Sequence, residues 1–180
     1  MRDRMLELTD DDLFDELLAY MERYMNTLID QHLPEDHEEH RLGELMEKLS
    51  ELFIDISLTE EKLTDQDAYQ VKQAAASEFN ELKQTILELK GDEMLALQLR
   101  NYMLTQIDSD WIEHLNLMTQ IKEGITLRGY AQEDPYITFE KEGAAEFNLL
   151  IADIEAGIST QFMELIKSDY QVVNENEEGE

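Results

Sequence analysis

Cysteine is absent from this 180-residue chain, which excludes a disulfide framework, a zinc knuckle and a thiol nucleophile. Proline and glycine are scarce, at 2 and 7 residues, so few positions can break a helix. Cations are also few. There are 14 Lys and Arg against 43 Asp and Glu, a formal net charge of -29. Phosphate neutralisation needs Lys and Arg in excess, so a nucleic-acid partner is excluded, and so is unaided docking on anionic lipid. Partners are expected to be basic, apolar or neutral. No apolar run approaches the roughly 20 residues needed to span a bilayer. The start, Met1-Arg2-Asp3-Arg4, leads into mixed acidic sequence with no apolar signal core. A soluble, cytosolic chain is expected. At 42% hydrophobic it can bury a real core, and Leu, Glu, Met, Gln and Ala recur throughout, which predicts an all-α fold.

The pattern divides the chain into helices. Thr9 with Asp12 makes a capping-box-like pair, and Leu13, Leu17, Tyr20 or Met21, Tyr24 and Leu28 follow at helical spacing as far as Leu33-Pro34. Pro34 to His40 reads as a polar loop. A shorter amphipathic helix is predicted from about Arg41 to Phe53, with Leu42, Leu45, Met46, Leu49 and Phe53 on one side. Ser57 to Thr64 reads as a connector with room for one extra turn. Another helix runs from about Asp65 to Lys90, and Gly91-Asp92 resembles a C-cap followed by a new N-cap. From Asp92 to about Gly124 a long helix places Leu99, Met103, Ile107, Trp111, Leu115 and Met118 facing one way. A loop from about Ile125 to Asp134 is closed by Pro135, suited to a first helical turn. The last helix carries a seam of Phe147, Leu150 or Ile151, Ile154, Ile158, Phe162 and Leu165, and the two seams predict an antiparallel hairpin. Beyond Lys167 the sequence turns polar, and Asn174 to Glu180 is expected to be a disordered acidic tail.

Enzymatic chemistry finds little support. No Gly-Lys-Ser/Thr triplet opens a helix, so no phosphate-binding loop is present and no ATP hydrolysis by this chain is expected. His37-Glu38-Glu39-His40, with Glu35 and Asp36, could offer ligands to a divalent ion, but no Glu-x-x-His spacing occurs, and a solvated acidic loop is the plainer reading. No metal site is expected. Asp108, Asp110, Glu113 and His114 surround Trp111 and could suggest a carboxylate-imidazole group. The plainer reading makes Trp111 a core anchor whose neighbours cap or bridge helices. The nine methionines are expected mainly in the core, the alternative being an adaptable groove for apolar peptides. The loop Leu127-Arg128-Gly129-Tyr130-Ala131-Gln132-Glu133-Asp134-Pro135 differs from a short polar turn. It presents an aromatic, a cation and a glycine at the tip of two long helices, where contact function concentrates.

The spaced residues Leu99-Arg100, Leu104, Ile107-Asp108, Trp111, His114-Leu115, Gly124-Ile125, Leu127-Arg128-Gly129-Tyr130-Ala131-Gln132, Asp134-Pro135, Glu142-Gly143 and Phe147 resemble the pattern of the SecA family of preprotein translocase ATPases. The resemblance is strong over about residues 95 to 165. Upstream it is weaker but collinear, and Arg2 to Leu6 resembles the end of the long scaffold helix. It implies a long-helix scaffold, a smaller helical wing and an antiparallel two-helix hairpin, the finger. The implied division is scaffold end and connector over 1–41, wing over 42–91, scaffold and finger over 92–167, and acidic tail over 168–180. It further implies a chain that is itself non-catalytic, with ATP and magnesium bound by motor domains elsewhere in a longer polypeptide. The implied partners are those motor domains, the Sec membrane channel and an unfolded preprotein, at the inner face of the cell membrane. The finger tip, Leu127 to Gln132 with Tyr130 foremost, would contact the translocating polypeptide and channel. Arg100, Asp108, Trp111, His114, Asp134 and Pro135 would be structural motif residues.

Departures from the family pattern are Glu133 where Lys is common, Phe139 where Tyr is usual, and an acidic end without the Cys-containing knuckle. They suggest an accessory or divergent member. Because the first residues fall inside what the family makes a long helix, the chain is expected to be a piece of a longer motor. The alternative is a stand-alone acidic helical module for protein interaction.

Overall fold

The computed structural model describes residues 1–34, 41–128 and 134–177, and is all-α over them. Its helices are α1 (Arg2–Glu7), α2 (Asp10–His32), α3 (Leu42–Leu52), α4 (Glu60–Leu63), α5 (Ala68–Glu88), α6 (Glu93–Arg128) and α7 (Pro135–Glu177). Caps explain several of the boundaries. Thr9 Oγ1 accepts from the Asp12 amide at 3.2 Å and donates to Asp12 Oδ2 at 2.7 Å, so Thr9 caps α2 through its hydroxyl. Gly91 sits at φ 99°, a left-handed conformation that glycine adopts without steric cost, and ends the α5 region. Asp92 then accepts from the amides of Met94 and Leu95, both at 3.0 Å, and opens α6.

Three boundaries differ from the sequence expectation. α5 begins at Ala68 rather than Asp65, because Asp67 and Gln70 form a reciprocal capping box that fixes the start there. α6 passes through Gly124 and ends at Arg128. One glycine costs a helix only about 1 kcal/mol, and burial of the adjacent Ile125 offsets that. α7 extends to Glu177, beyond Lys167 where its apolar seam stops.

α2 is the centre of the molecule, packed by α3, α5, α6 and α7. Being surrounded, it buries more than one stripe: Leu13, Phe14, Leu17, Leu18, Met21, Met25, Leu28 and Ile29 are all buried. Each such side chain contributes about 1.5–3 kcal/mol by leaving water. Phe14 meets Phe162 of α7 edge-on, with centroids 6.3 Å apart. Met5, Met21, Met25, Met103 and Met163 are buried too, so these methionines fill the core. The α3–α5 segment is tied to the rest by three lysines. Lys72 reaches Asp30 at 2.6 Å and Lys90 reaches Asp15 at 2.8 Å. Lys167 Nζ donates to the carbonyls of Ser50 and Glu51 at 2.7 and 3.1 Å, the negative end of α3.

Candidate functional site

α6 and α7 form a long antiparallel hairpin that projects beyond the core around α2. At about 1.5 Å per residue, their 36 and 43 residues correspond to roughly 54 and 64 Å. Near the base, Leu99, Met103 and Ile107 of α6 are buried in the same core as Ile154, Ile158 and Phe162 of α7. Two glycines let the helices close on each other. A Cβ at Gly157 would lie 3.0 Å from the Gln106 amide group, and one at Gly143 would lie 2.8 Å from Met118 Cε. At the far end Asp134 Oδ1 accepts from the Tyr136 amide at 2.9 Å, and Pro135 takes the first helical position where no amide partner is needed. Of the tip, Leu127 and Arg128 complete the backbone of α6, while Gly129, Tyr130, Ala131 and Gln132 lie outside the described residues, as does the acidic loop Glu35 to His40.

The other motif residues separate into two groups. Arg100 is a clamp. Its guanidinium, 17% exposed, donates to the Met5 carbonyl at 2.5 Å, the Leu8 carbonyl at 2.8 Å and Asp10 Oδ1 at 2.9 Å. It therefore satisfies the open carbonyls at the end of α1 and holds the α1–α2 corner against α6. Asp108 accepts the Arg2 Nε–H at both oxygens, 2.8 and 3.1 Å, which pins the other end of α1. Sequence spacing alone did not reveal this pair of ties, since the partners are about a hundred residues apart.

Trp111 and His114 occupy a different environment, and the expectation of a buried Trp anchor is corrected here. Trp111 is 45% exposed, as is Phe147 across from it, and Leu115 is 49% exposed. The cause is coverage. Near its base α6 packs on α1, α2 and α7, but past the Arg2–Asp108 tie Trp111, Ile112, Leu115 and Leu117 are all exposed, so α1 and α2 no longer cover it there. The apolar line of α6 therefore emerges into solvent from Trp111 onward. His114, by contrast, is only 8% exposed. Its ring lies between those of Trp111 and Phe147, at centroid distances of 5.7 and 6.0 Å. On one side of this stack an apolar groove of about 380 Å³ runs from Met1 and Ile107 past Trp111 to Ile154. On the other is an acidic crevice of about 270 Å³. α6 lines it with Asp110, Glu113, His114 and Leu117, and α7 with Glu146, Leu149, Leu150 and Asp153. Among the described residues no group of three or more His, Asp or Glu is placed to hold a metal ion.

A charged pair between a buried carboxylate and a half-exposed guanidinium also lies beyond the reach of sequence spacing. Glu155, 8% exposed, accepts from Arg23 Nε at 2.9 Å. That hydrogen bond is the main reason the Arg23 guanidinium is held above its ordinary pKa. Arg23 also lies 5.1 Å from the centre of the Tyr20 ring. Burial, reinforced by the nearby Glu16 carboxylate, pushes the Tyr20 hydroxyl well above the usual phenol value. Among the described residues this is the buried side-chain polar atom left without a hydrogen bond of normal geometry, although Glu16 is close enough to bias it.

Comparison with known proteins agrees with this architecture. The family model described as the SecA Wing and Scaffold domain matches residues 1–166. The protein translocase subunit SecA of Synechocystis sp. is 31% identical over 153 residues, covering 82% of this chain. The SecA of Trichodesmium erythraeum is 29% identical over 164 residues, again 82% of the chain. The protein translocase subunit SecA 2 of Geobacillus thermodenitrificans is 36% identical over 102 residues, 57% of the chain. The chain spans only 16%, 16% and 13% of the length of these three relatives. No described helix is long and apolar enough to cross a membrane. With a match over nearly its whole length and an all-helical architecture of clamped base and long hairpin, this chain belongs to the SecA family and represents its wing and scaffold region.

Proposed function

We propose that this chain is the non-catalytic helical part of a SecA-type motor for ATP-driven protein translocation through the Sec channel. In this reading the α6–α7 hairpin is the finger, and Leu127, Arg128, Gly129, Tyr130, Ala131 and Gln132 at its tip contact the translocating polypeptide and the channel. ATP and magnesium are bound by motor domains of the full-length protein, which works at the inner face of the cell membrane as a peripheral component. The observation that carries the reading is the hairpin itself, in a chain of this family: two helices of 36 and 43 residues, locked near the base and tied by Arg100 and Asp108 to the rest of the scaffold. Such an arm transmits a displacement to its end. A tyrosine there offers an amphipathic ring to an unfolded chain without demanding a sequence match. The test is Tyr130→Ala in the full-length motor. Export of an unfolded preprotein into membrane vesicles should fall about tenfold or more, the loss expected when one positioned contact worth about 1.4 kcal/mol is removed. ATP turnover without preprotein should be unchanged. Undiminished export would overturn the assignment of the tip.

A further inference from the structure

The acidic crevice beside His114 is not used by the proposed role of the hairpin tip. Four acidic residues line it, Asp110 and Glu113 from α6 and Glu146 and Asp153 from α7, and among the described residues no Lys or Arg does. His114 forms part of its wall. The residue is more than nine-tenths buried, and among the described residues its ring has no hydrogen-bond partner, only the flanking rings of Trp111 and Phe147. Its ring nitrogens are not sealed from solvent, and in the crevice wall they stay available to a partner that comes from outside. The rest of the crevice states the chemistry of that partner. Leu117 and Leu149 are 37% and 54% exposed at its rim and offer an apolar wall.

We propose that this crevice receives an arginine side chain presented by another polypeptide. Arginine combines an apolar stem, suited to Leu117 and Leu149, with a planar cation that carries five donors and no acceptor, suited to the carboxylates of the crevice. Lysine matches the charge, but its compact and strongly hydrated ammonium cannot fork between carboxylates on two helices. At about 270 Å³ the cavity lies below the range of about 300–1,000 Å³ typical of small-molecule sites, which favours a single side chain. The four carboxylates repel any phosphate-bearing ligand. A shared divalent ion is disfavoured because no three ligating side chains among the described residues are close enough together.

The test uses the 180-residue chain and a capped Gly-Gly-Arg-Gly-Gly peptide, followed by the ring signals of His114 in NMR at about 0.15 M salt, where long-range attraction is screened beyond about 8 Å. Saturable shifts with a Kd on the order of 1 mM are expected for one docked side chain. The same peptide with neutral citrulline should produce none. Glu146→Gln with Asp153→Asn should weaken binding about tenfold, as loss of charge-assisted hydrogen bonds predicts. Glu60→Gln with Glu61→Gln, an equal change of net charge elsewhere, should leave it unaltered. Equal response to arginine and citrulline overturns the proposal. So does equal weakening by the two double variants, which would mean attraction to the whole anionic chain. Saturable shifts with magnesium chloride alone that displace the peptide would make the crevice a metal site and overturn it as well.

Discussion

Replacing Arg100 with Ala tests how the scaffold is held together. Three contacts are lost: two to the carbonyls of Met5 and Leu8 and one to Asp10. Hydrogen bonds from a charged group contribute about 1.5–3 kcal/mol each where water is largely excluded. The Asp10 partner is half exposed, so that contact adds at most about 1 kcal/mol. With about 1.5 kcal/mol for each carbonyl bond, the low end because the Arg100 side chain is 17% exposed, and up to about 1 for Asp10, the total loss is about 3–4 kcal/mol, and at about 2–4 °C per kcal/mol for a chain of this size the melting temperature should fall by roughly 6–16 °C. The loss should be local before it is global. α1 has six residues, too few to persist without tertiary support. Hydrogen exchange at the Leu8 amide, bonded to the Arg4 carbonyl, should therefore lose more protection than amides in the middle of α2. Arg100→Lys should recover less than half of the stability, because one ammonium cannot span the same three acceptors. An Arg100→Ala protein within about 0.5 kcal/mol of the parent in urea unfolding, with Leu8 protection unchanged, would refute the clamp; surface substitutions away from such features fall in that range.

Other perturbations have equally definite outcomes. Trp111→Ala should cost only about 1 kcal/mol by chemical denaturation, well short of the 3–5 kcal/mol of a buried Trp, because the ring is 45% exposed. Tyr20→Phe should leave stability at neutral pH equal or raise it by up to about 1 kcal/mol, since it removes a buried hydroxyl with no well-formed hydrogen bond. In alkali, Tyr20, Tyr24 and Tyr102 all have hydroxyls raised by burial above the unfolded value of 10.0. The stability they carry is complete below pH 10 and is lost as pH climbs past it toward the folded values. Lys167 works in the opposite sense: burial lowers its folded pKa below 10.5, so its contribution improves as pH rises toward that value. Three tyrosines against one lysine predict a net decline in urea midpoint above pH 10, which Tyr20→Phe should flatten. Gly157→Leu should open the hairpin and destabilise by about 1–3 kcal/mol through overpacking against Gln106, read as a lower urea midpoint.

Local signals in the sequence read well, and long-range ones did not. Thr9, the Gly91-Asp92 pair and Pro135 each mark a helix end through a neighbour within a few residues, so their chemistry is visible in a short window. The hairpin followed from two apolar seams in the same way. Trp111 and Leu115 were misplaced because periodicity says which residues share a face, and says nothing about how far along the helix that face is covered. α1 and α2 cover only the base of α6, and that is a property of tertiary packing. The sequence predicts a stop near Gly124 because a glycine's intrinsic cost is local, while the packing that overrides it is not. The ties Arg2–Asp108, Arg23–Glu155 and Arg100–Met5 join residues about a hundred apart, beyond any spacing rule. For Arg100 the available cue was its place as a lone cation in the Met94 to Ile107 stretch.

The two glycine crossings also determine how the hairpin keeps its register. Gly143 faces Met118 and Gly157 faces Gln106, so the notches lie roughly 21 Å apart along α7 at about 1.5 Å per residue. Sliding one helix past the other would move both notches off their partners together and bring bulkier residues against Met118 and Gln106. Because Met118 and Gln106 meet the notches with the far ends of flexible side chains, each notch can yield slightly, and the two together fix the register of the helices rather than act as a rigid stop.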